Sequence, residues 1–303
     1  MQLLRPYLLA ALVLLPAATL HAQDRDDFRG WADTTFAFDA NGRVELAQVT
    51  GDVIVRTWTR NEIRIVAYAE RVPLDIRLSR ASVYIGLDMP DRSGRNGIGD
   101  SQFEVTVPAT ARVTAKSVSG DVSVEGSRGR LSAGSVSGDV TVEGGNGEIT
   151  LSSVSGDVIL SRATGRVSAN AVNGDVVLSD IEGDVTATTV SGDVRLQRVR
   201  ARLVTGKTVS GDVEFQGPFS NDGRYELTTH SGDIELYVQD RTNGTLAIST
   251  FSGEVDSDIP LSMGAGARRG RGNSSVEAEL GNGNGATIVL KTFGGDVLIR
   301  RAR

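Results

Sequence analysis

Ser119-Gly120-Asp121-Val122-Ser123-Val124 returns as Ser137-Gly138-Asp139-Val140-Thr141-Val142, and again as Ser155-Gly156-Asp157-Val158-Ile159-Leu160. Asn173-Gly174-Asp175-Val176, Ser191-Gly192-Asp193-Val194 and Ser210-Gly211-Asp212-Val213 carry the series on. Ser231-Gly232-Asp233-Ile234 and Ser252-Gly253-Glu254-Val255 extend it, so that successive glycines lie 18 residues apart four times, then 19, 21 and 21. Fainter copies stand at Thr50-Gly51-Asp52-Val53 and Gly294-Gly295-Asp296-Val297. Self-similarity at a fixed period of this size is the signature of a repeat architecture, in which no unit can bury its apolar face alone.

Each unit divides in half. Midway between the Ser-Gly-Asp turns come Gly129-Arg130-Leu131, Gly147-Glu148-Ile149, Gly165-Arg166-Val167, Gly183-Asp184-Val185 and Ala201-Arg202-Leu203. Apolar side chains then alternate, as in Val122 and Val124, Val140 and Val142, Val158 and Leu160, Val176 and Leu178. That period of two marks short half-buried strands. A further apolar position before each turn (Val136, Val154, Val172, Val190, Val209) is expected to point inward as well. The pattern predicts an all-β protein. The expected form is a β-solenoid, or single-stranded β-helix, with about 18–21 residues and two short parallel strands per coil, stacked about 4.8 Å apart. Glycine at the corners allows a positive φ or a close backbone approach.

Other coils of this length fit poorly. A hexapeptide register begun at Val122 lands on Arg128 and Gly134. Calcium-binding nonapeptide rolls want Gly-Gly-x-Gly-x-Asp at both corners, whereas here Gly and Asp are adjacent. Lyase-type helices use longer, irregular coils.

Stacking turns sequence into rows. Arg130, Glu148, Arg166, Asp184 and Arg202 alternate in sign and predict an attractive charge ladder. Asp121, Asp139, Asp157, Asp175 and Asp193, continued by Asp212 and Asp233, share one sign and should repel. Either each carboxylate accepts N–H bonds within its own Gly turn, or calcium sits between successive carboxylates. One carboxylate per coil and no bidentate Glu favour turn capping. The Ser row before it (Ser119, Ser137, Ser155, Ser191, Ser210, Ser231) reads as turn chemistry.

The 303 residues hold 36 Gly, no Cys and 5% aromatics, which excludes disulfides, thiol nucleophiles and Cys-bound zinc. Residues 1–22 read as a signal peptide: Arg5, the apolar run Leu8 to Leu15, Pro16, then Leu20-His21-Ala22 before Gln23. Residues 23–33 are expected to be a flexible segment. Residues 34–301 form one domain, with irregular N-terminal coils over 34–107, regular repeats over 108–259, and a loop with a closing coil over 260–301. No stretch in the mature chain approaches the roughly 20 apolar residues of a membrane helix. Without residues 1–22 the chain carries 31 basic and 38 acidic residues, a net charge of −7, which argues against nucleic acid as a partner. The expectation is an exported protein, periplasmic or at the cell surface.

The flanks are β-rich but less regular. Phe36, Phe38, Trp58 and Tyr68 are available to close one end, because an end coil has no partner on one face. Asp91 to Asp100 and Met263 to Ser275 read as mobile loops, the second holding the solvated cluster Arg268-Arg269-Gly270-Arg271. Arg300, Arg301 and Arg303 would discourage pairing at an exposed edge.

Several of these stretches resemble one family. They are Gly42-Arg43-Val44-Glu45-Leu46, Thr50-Gly51-Asp52-Val53-Ile54-Val55, Trp58 and Glu62-Ile63-Arg64-Ile65. Phe103-Glu104-Val105-Thr106-Val107-Pro108 leads into Ser117-Val118-Ser119-Gly120-Asp121-Val122, and Thr287-Ile288-Val289-Leu290-Lys291-Thr292 precedes Gly295-Asp296-Val297. Over residues 34 to 301 the chain is similar to the DUF4097 family of adhesin-type β-strand-repeat proteins. The resemblance implies the repeat fold and brings no catalytic residues with it. It permits a role in envelope-stress signalling.

An enzyme needs a convergent set of groups. His230, the one His after residue 22, sits with Ser231 and Asp233 on a single repeat turn, and neighbouring coils lack the His. No catalytic, cofactor-binding or metal-ligating residue is assigned, and no cofactor is expected. The leading expectation is a non-catalytic exported solenoid offering an adhesin-like or scaffolding surface to an envelope protein or surface glycan. The alternative is a regulatory module that engages an envelope protein through its end coils or the 263–275 loop. A calcium-stabilised repeat protein and a glycan-acting enzyme come behind, and end-to-end self-association is open.

Overall fold

The structure is a computed structural model that describes residues 30–89, 99–263, 268–270 and 273–302. The proposed signal peptide and most of the 91–100 segment lie outside them. Among the described residues the chain is all-β, without a helix. The repeat builds it. Leu131–Ser137 pairs in parallel with Arg112–Ser119 on one side and Asn146–Ser155 on the other, each 18 residues away. Val140–Gly144 does the same between Val122–Ser127 and Val158–Asn170. Each unit therefore contributes one strand to each of two walls.

Alternation places the inward side chains of both walls in one apolar interior. Val122, Val124, Leu131, Ala133, Val140, Val142, Ile149 and Leu151 are all buried. Burying one such Val or Leu contributes roughly 1.5–3 kcal/mol, so stability accrues by repetition rather than from any one contact. A third, narrower side is also present. Ala163 pairs with Ile181, and Thr164 with Glu182, across the corner between the walls. Ser127, Ala163, Ile181 and Val199 fill the inside of that corner. The chain bends there through Gly126, Gly144, Arg162, Asp180 and Arg198, all at positive φ. Three of these five are not glycine, and this hid the corner from a search for glycine punctuation.

Departures from the 18-residue period have structural causes. The extra residue of the 19-residue unit is absorbed between Arg200, which pairs with Glu182, and Val204, which pairs with Val185. As a result Val204, not Leu203, takes the inward place opposite Val185, and Leu203 is exposed. The next unit is longer because Phe219–Thr228 carries an outward excursion over Tyr225. The Tyr225 hydroxyl donates to the Ala201 carbonyl at 2.7 Å and accepts the Ser220 N–H at 2.8 Å. Phe215, Phe219 and Tyr225 pack edge-on beneath it.

The ends do not follow chain order. Ala286–Thr292 lies between Phe219–Thr228 and Gly244–Thr250, and Val297–Arg301 lies between Ile234–Val238 and Val255–Ser257. The last unit in sequence is therefore the last but one in space. At the other end, Arg43–Ala47 lies between Ser82–Leu87 and Arg112–Ser119, and antiparallel strands finish both walls.

Trp31–Ala37 is one of those finishing strands, so the last residues of the segment expected to be flexible are strand, because Glu62–Ala69 supplies them with a full antiparallel ladder. Phe38 is buried at this end and Phe36 packs against the core, whereas Tyr68 is exposed and does not help to close it. The 263–275 segment also differs from a plain loop. Arg268–Gly270 and the start of Asn273–Leu280 pair as antiparallel strands.

Candidate binding surfaces

The Asp row forms a ladder between units. Oδ1 of Asp121 accepts the N–H of Asp139 at 2.9 Å, Asp139 that of Asp157 at 2.8 Å, and Asp157 that of Asp175 at 2.8 Å. Asp175, Asp193, Asp212 and Asp233 continue to Asp193, Asp212, Asp233 and Asp296. The last step runs from Asp296 to the N–H of Glu254. The expected capping within each carboxylate's own turn is thus corrected. The adjacent unit stands one strand spacing away and presents its N–H directly, while the turn's own N–H groups serve the wall ladders. A charge-assisted bond of this kind offsets the repulsion along the row.

The Ser-Gly-Asp glycines let the units approach closely enough for this. A Cβ on Gly138 would stand 2.3 Å from the Gly120 carbonyl oxygen, and one on Gly156 the same distance from Gly138. Beneath the turns runs a second ladder that the tetrapeptide pattern does not reveal. The buried hydroxyls of Ser135 and Ser153 donate to the Gly120 and Gly138 carbonyls at 2.9 Å. Thr189, Thr208 and Thr229 repeat the contact with Gly174, Gly192 and Gly211. Ala171 takes this place in one unit and has no hydroxyl to offer.

Because Ser135 and its equivalents take the inward place, the next residue must face out. Val118, Val136, Val154, Val172, Val190 and Val209 are not core residues: each is 39–47% exposed. Backbone bonds from Asn173 to Val154, Ser191 to Val172, Ser210 to Val190 and Ser231 to Val209 align them in one row. The row continues through His230, which stacks on Phe293 at 4.8 Å, and Phe293 stacks on Phe251 at 4.6 Å. His230 is therefore a rung of an outward stack. Its turn neighbour Asp233 gives Oδ1 to the Asp296 N–H.

Beside this ridge, the outer face of one wall carries Thr114, Ser132, Thr150, Ser168, Thr186 and Thr205 in register, with Lys116 and Lys207 in the next row. The opposite wall is more charged. Arg195 bridges Asp175 at 2.7 Å and Asp193 at 2.5 Å. Burial raises the Asp175 carboxyl, but the Asp193 N–H and the Arg195 guanidinium outweigh it and hold the group below its ordinary value. Burial, with Glu235 alongside, pushes Glu214 above the usual carboxylate range against the pull of Arg195. A shallow depression of about 200 Å³ lies among Asp193, Arg195, Asp212, Glu214, Asp233 and Glu235. Of the predicted alternating charge ladder, Arg130 pairs with Glu148 at 3.2 Å, but Arg202 turns to Asp222 on the excursion of the longer unit. These pairs are exposed and contribute little to stability.

Stacked parallel units with rows of turn carboxylates, hydroxyls and outward valines define an all-β repeat protein. The chain belongs to the Toastrack DUF4097 family, whose model matches residues 73–300. Among solved structures it is similar to a candidate adhesin from Bacteroides fragilis NCTC 9343, at 10% identity and a TM-score of 0.41, covering 89% of this chain and 96% of that one. It is also similar to a candidate lipid binding protein from Parabacteroides distasonis ATCC 8503 (7% identity, TM-score 0.36, 91% and 98% covered). A candidate cell adhesion protein from Clostridium sporogenes ATCC 15579 matches at 7% identity and a TM-score of 0.22, covering 90% and 100%. No protein of curated function matches the sequence. Among the described residues no helix is long and apolar enough to cross a membrane.

Proposed function

We propose that the protein is a non-catalytic, exported β-solenoid that acts as an adhesin-like or scaffolding surface in the cell envelope. The observation that carries this reading is repetition on the outside of the molecule. The hydroxyl row Thr114, Ser132, Thr150, Ser168, Thr186 and Thr205 repeats at every unit, so any patch of it resembles the next. Catalysis requires different groups to converge on one point, and rows of like groups do the opposite. A flat repeating face suits an extended ligand contacted many times, such as a surface glycan, or an elongated envelope protein. Many weak contacts in series then supply affinity.

The test is recovery of partners from an envelope fraction on immobilised protein, with and without EDTA, using the full repeat set and a variant lacking residues 140–157. A graded loss of glycan or surface components on shortening supports the scaffold. A single protein recovered stoichiometrically and unaffected by the deletion would replace it with a regulatory module. Loss of recovery in EDTA alone would point to calcium on the Asp row.

A further inference from the structure

We infer that the valine ridge is a self-association interface, and that two copies of the chain pair through it side by side, parallel and in register. The six exposed valines with Phe251 and Phe293 present roughly 600 Å² of surface, the upper end of what a monomer leaves uncovered. With its serine flank the ridge approaches the about 800 Å² per partner of a standard interface. The partner follows from the shape. The ridge is one side chain wide and repeats at the strand spacing of about 4.8 Å. A second copy of the same ridge has that repeat by construction, so each valine of one row seats against its equivalent in the other along the whole length.

The residues next to the ridge are uncharged: Ser119, Ser137, Ser155, Asn173, Ser191, Ser210 and Ser231. No charge need be desolvated for the two rows to meet.

Charge decides the orientation. The Asp row runs along one flank of the ridge, and on the other lies the wall bearing Lys116, Lys291 and Lys207, the last paired with Glu226 at 3.2 Å. A two-fold axis across the rows would make the copies antiparallel and set Asp row against Asp row. A two-fold axis along the rows makes them parallel and sets each Asp row on the lysine side of its partner. Opposite potentials favour the second arrangement and like potentials disfavour the first. Parallel pairing also brings His230, Phe293 and Phe251 of one copy to the same three residues of the other. It thereby fixes a register that the valines alone would leave free to slip.

The chain has no cysteine, which makes the test clean. Sedimentation velocity on the purified protein is expected to show a dimer. The triple variant V154S/V172S/V190S is expected to weaken dimerisation at least tenfold while the monomer still unfolds cooperatively, because these side chains lie outside the buried core. V118C and V209C, made separately and oxidised mildly, should each give a disulfide-linked homodimer, since each position meets itself in the parallel arrangement. A mixture should give little V118C–V209C product. A monomer at all concentrations, or a dimer indifferent to the triple variant, overturns the proposal. Crosslinking of V118C to V209C in preference to self-crosslinking overturns the parallel orientation. Neither result bears on what the hydroxyl face binds, which the envelope recovery experiment tests separately.

Discussion

At the scale of single residues, two ladders hold successive units together, and each makes a prediction. Ala171→Ser restores the missing hydroxyl above Gly156 and is expected to raise stability by about 1 kcal/mol, the net worth of a hydrogen bond. Urea unfolding would read this, and a destabilised variant would show that the site cannot seat an oxygen. Asp157→Ala removes the acceptor for the Asp175 N–H and is expected to cost about 1–3 kcal/mol, whereas Asp157→Asn keeps an acceptor and should cost far less. Equal losses in the two would place the value of the row in its charge.

Acid adds a signed test at the same scale. Asp175 lies below its ordinary value of 3.8 in the fold, so its contribution is present above that value and is lost as pH falls through the depressed one. Glu214 is raised above 4.5, so its ionisation costs stability as pH climbs from that value through the raised one. Arg195→Gln removes the guanidinium that helps to lower Asp175 and restrains the rise of Glu214. Its melting curve should lose part of the Asp175 gain and show a larger Glu214 penalty across the weakly acidic range.

At the scale of the element, one unit is interchangeable with the next. Strands 18 residues apart stand in register through the central repeats, for instance Leu131 with Ile149 and Val140 with Val158. Excising residues 140–157 joins Asp139 to Val158 and leaves every row continuous. The shortened protein is expected to fold cooperatively with a modestly lower melting temperature, as nearest-neighbour repeat energetics require. Removing residues 140–148 instead would seat Ile149 in the place of Val140 and carry every later Ser-Gly-Asp turn to the opposite corner, which breaks the Asp ladder and should cost far more stability. A glycine in the Ser-Gly-Asp turn is less forgiving. Gly156→Ala drives a methyl against the Gly138 carbonyl at 2.3 Å and is expected to cost several kcal/mol, beyond the about 1–3 of ordinary overpacking.

At the scale of the whole molecule, the order of the ends matters. Chain order would make residues 286–303 a dispensable final unit. In the structure Ala286–Thr292 and Val297–Arg301 are wedged between the units before and after residue 240. Truncation after Gly285 should therefore unseat residues 244–280 as well. Hydrogen exchange is expected to show lost protection in Gly244–Thr250 and Asn273–Leu280 together, with the central repeats unchanged. Protection retained there would contradict the interleaved order. The wedge also closes the row of aromatics, since Phe293 reaches its place between His230 and Phe251 only by this path.

The sequence by itself determined that the chain is all-β, the period, the halves of each unit and most of the interior. A period of two within a period of 18 leaves few ways to bury Val122, Val124 and their equivalents. It also exposed the Asp row, because identical residues at identical spacing must stack if the units do. Tertiary structure alone decided which way Val136 and its equivalents face. Ser135 takes the inward place because its hydroxyl reaches the carbonyl of a turn 15 residues earlier, a partner that no local pattern names. It likewise decided that Arg162, Asp180 and Arg198 would turn a corner without glycine, and that the last strands would insert rather than follow. Those outcomes depend on contacts between units and between the chain's ends, and periodicity describes only what repeats along the chain.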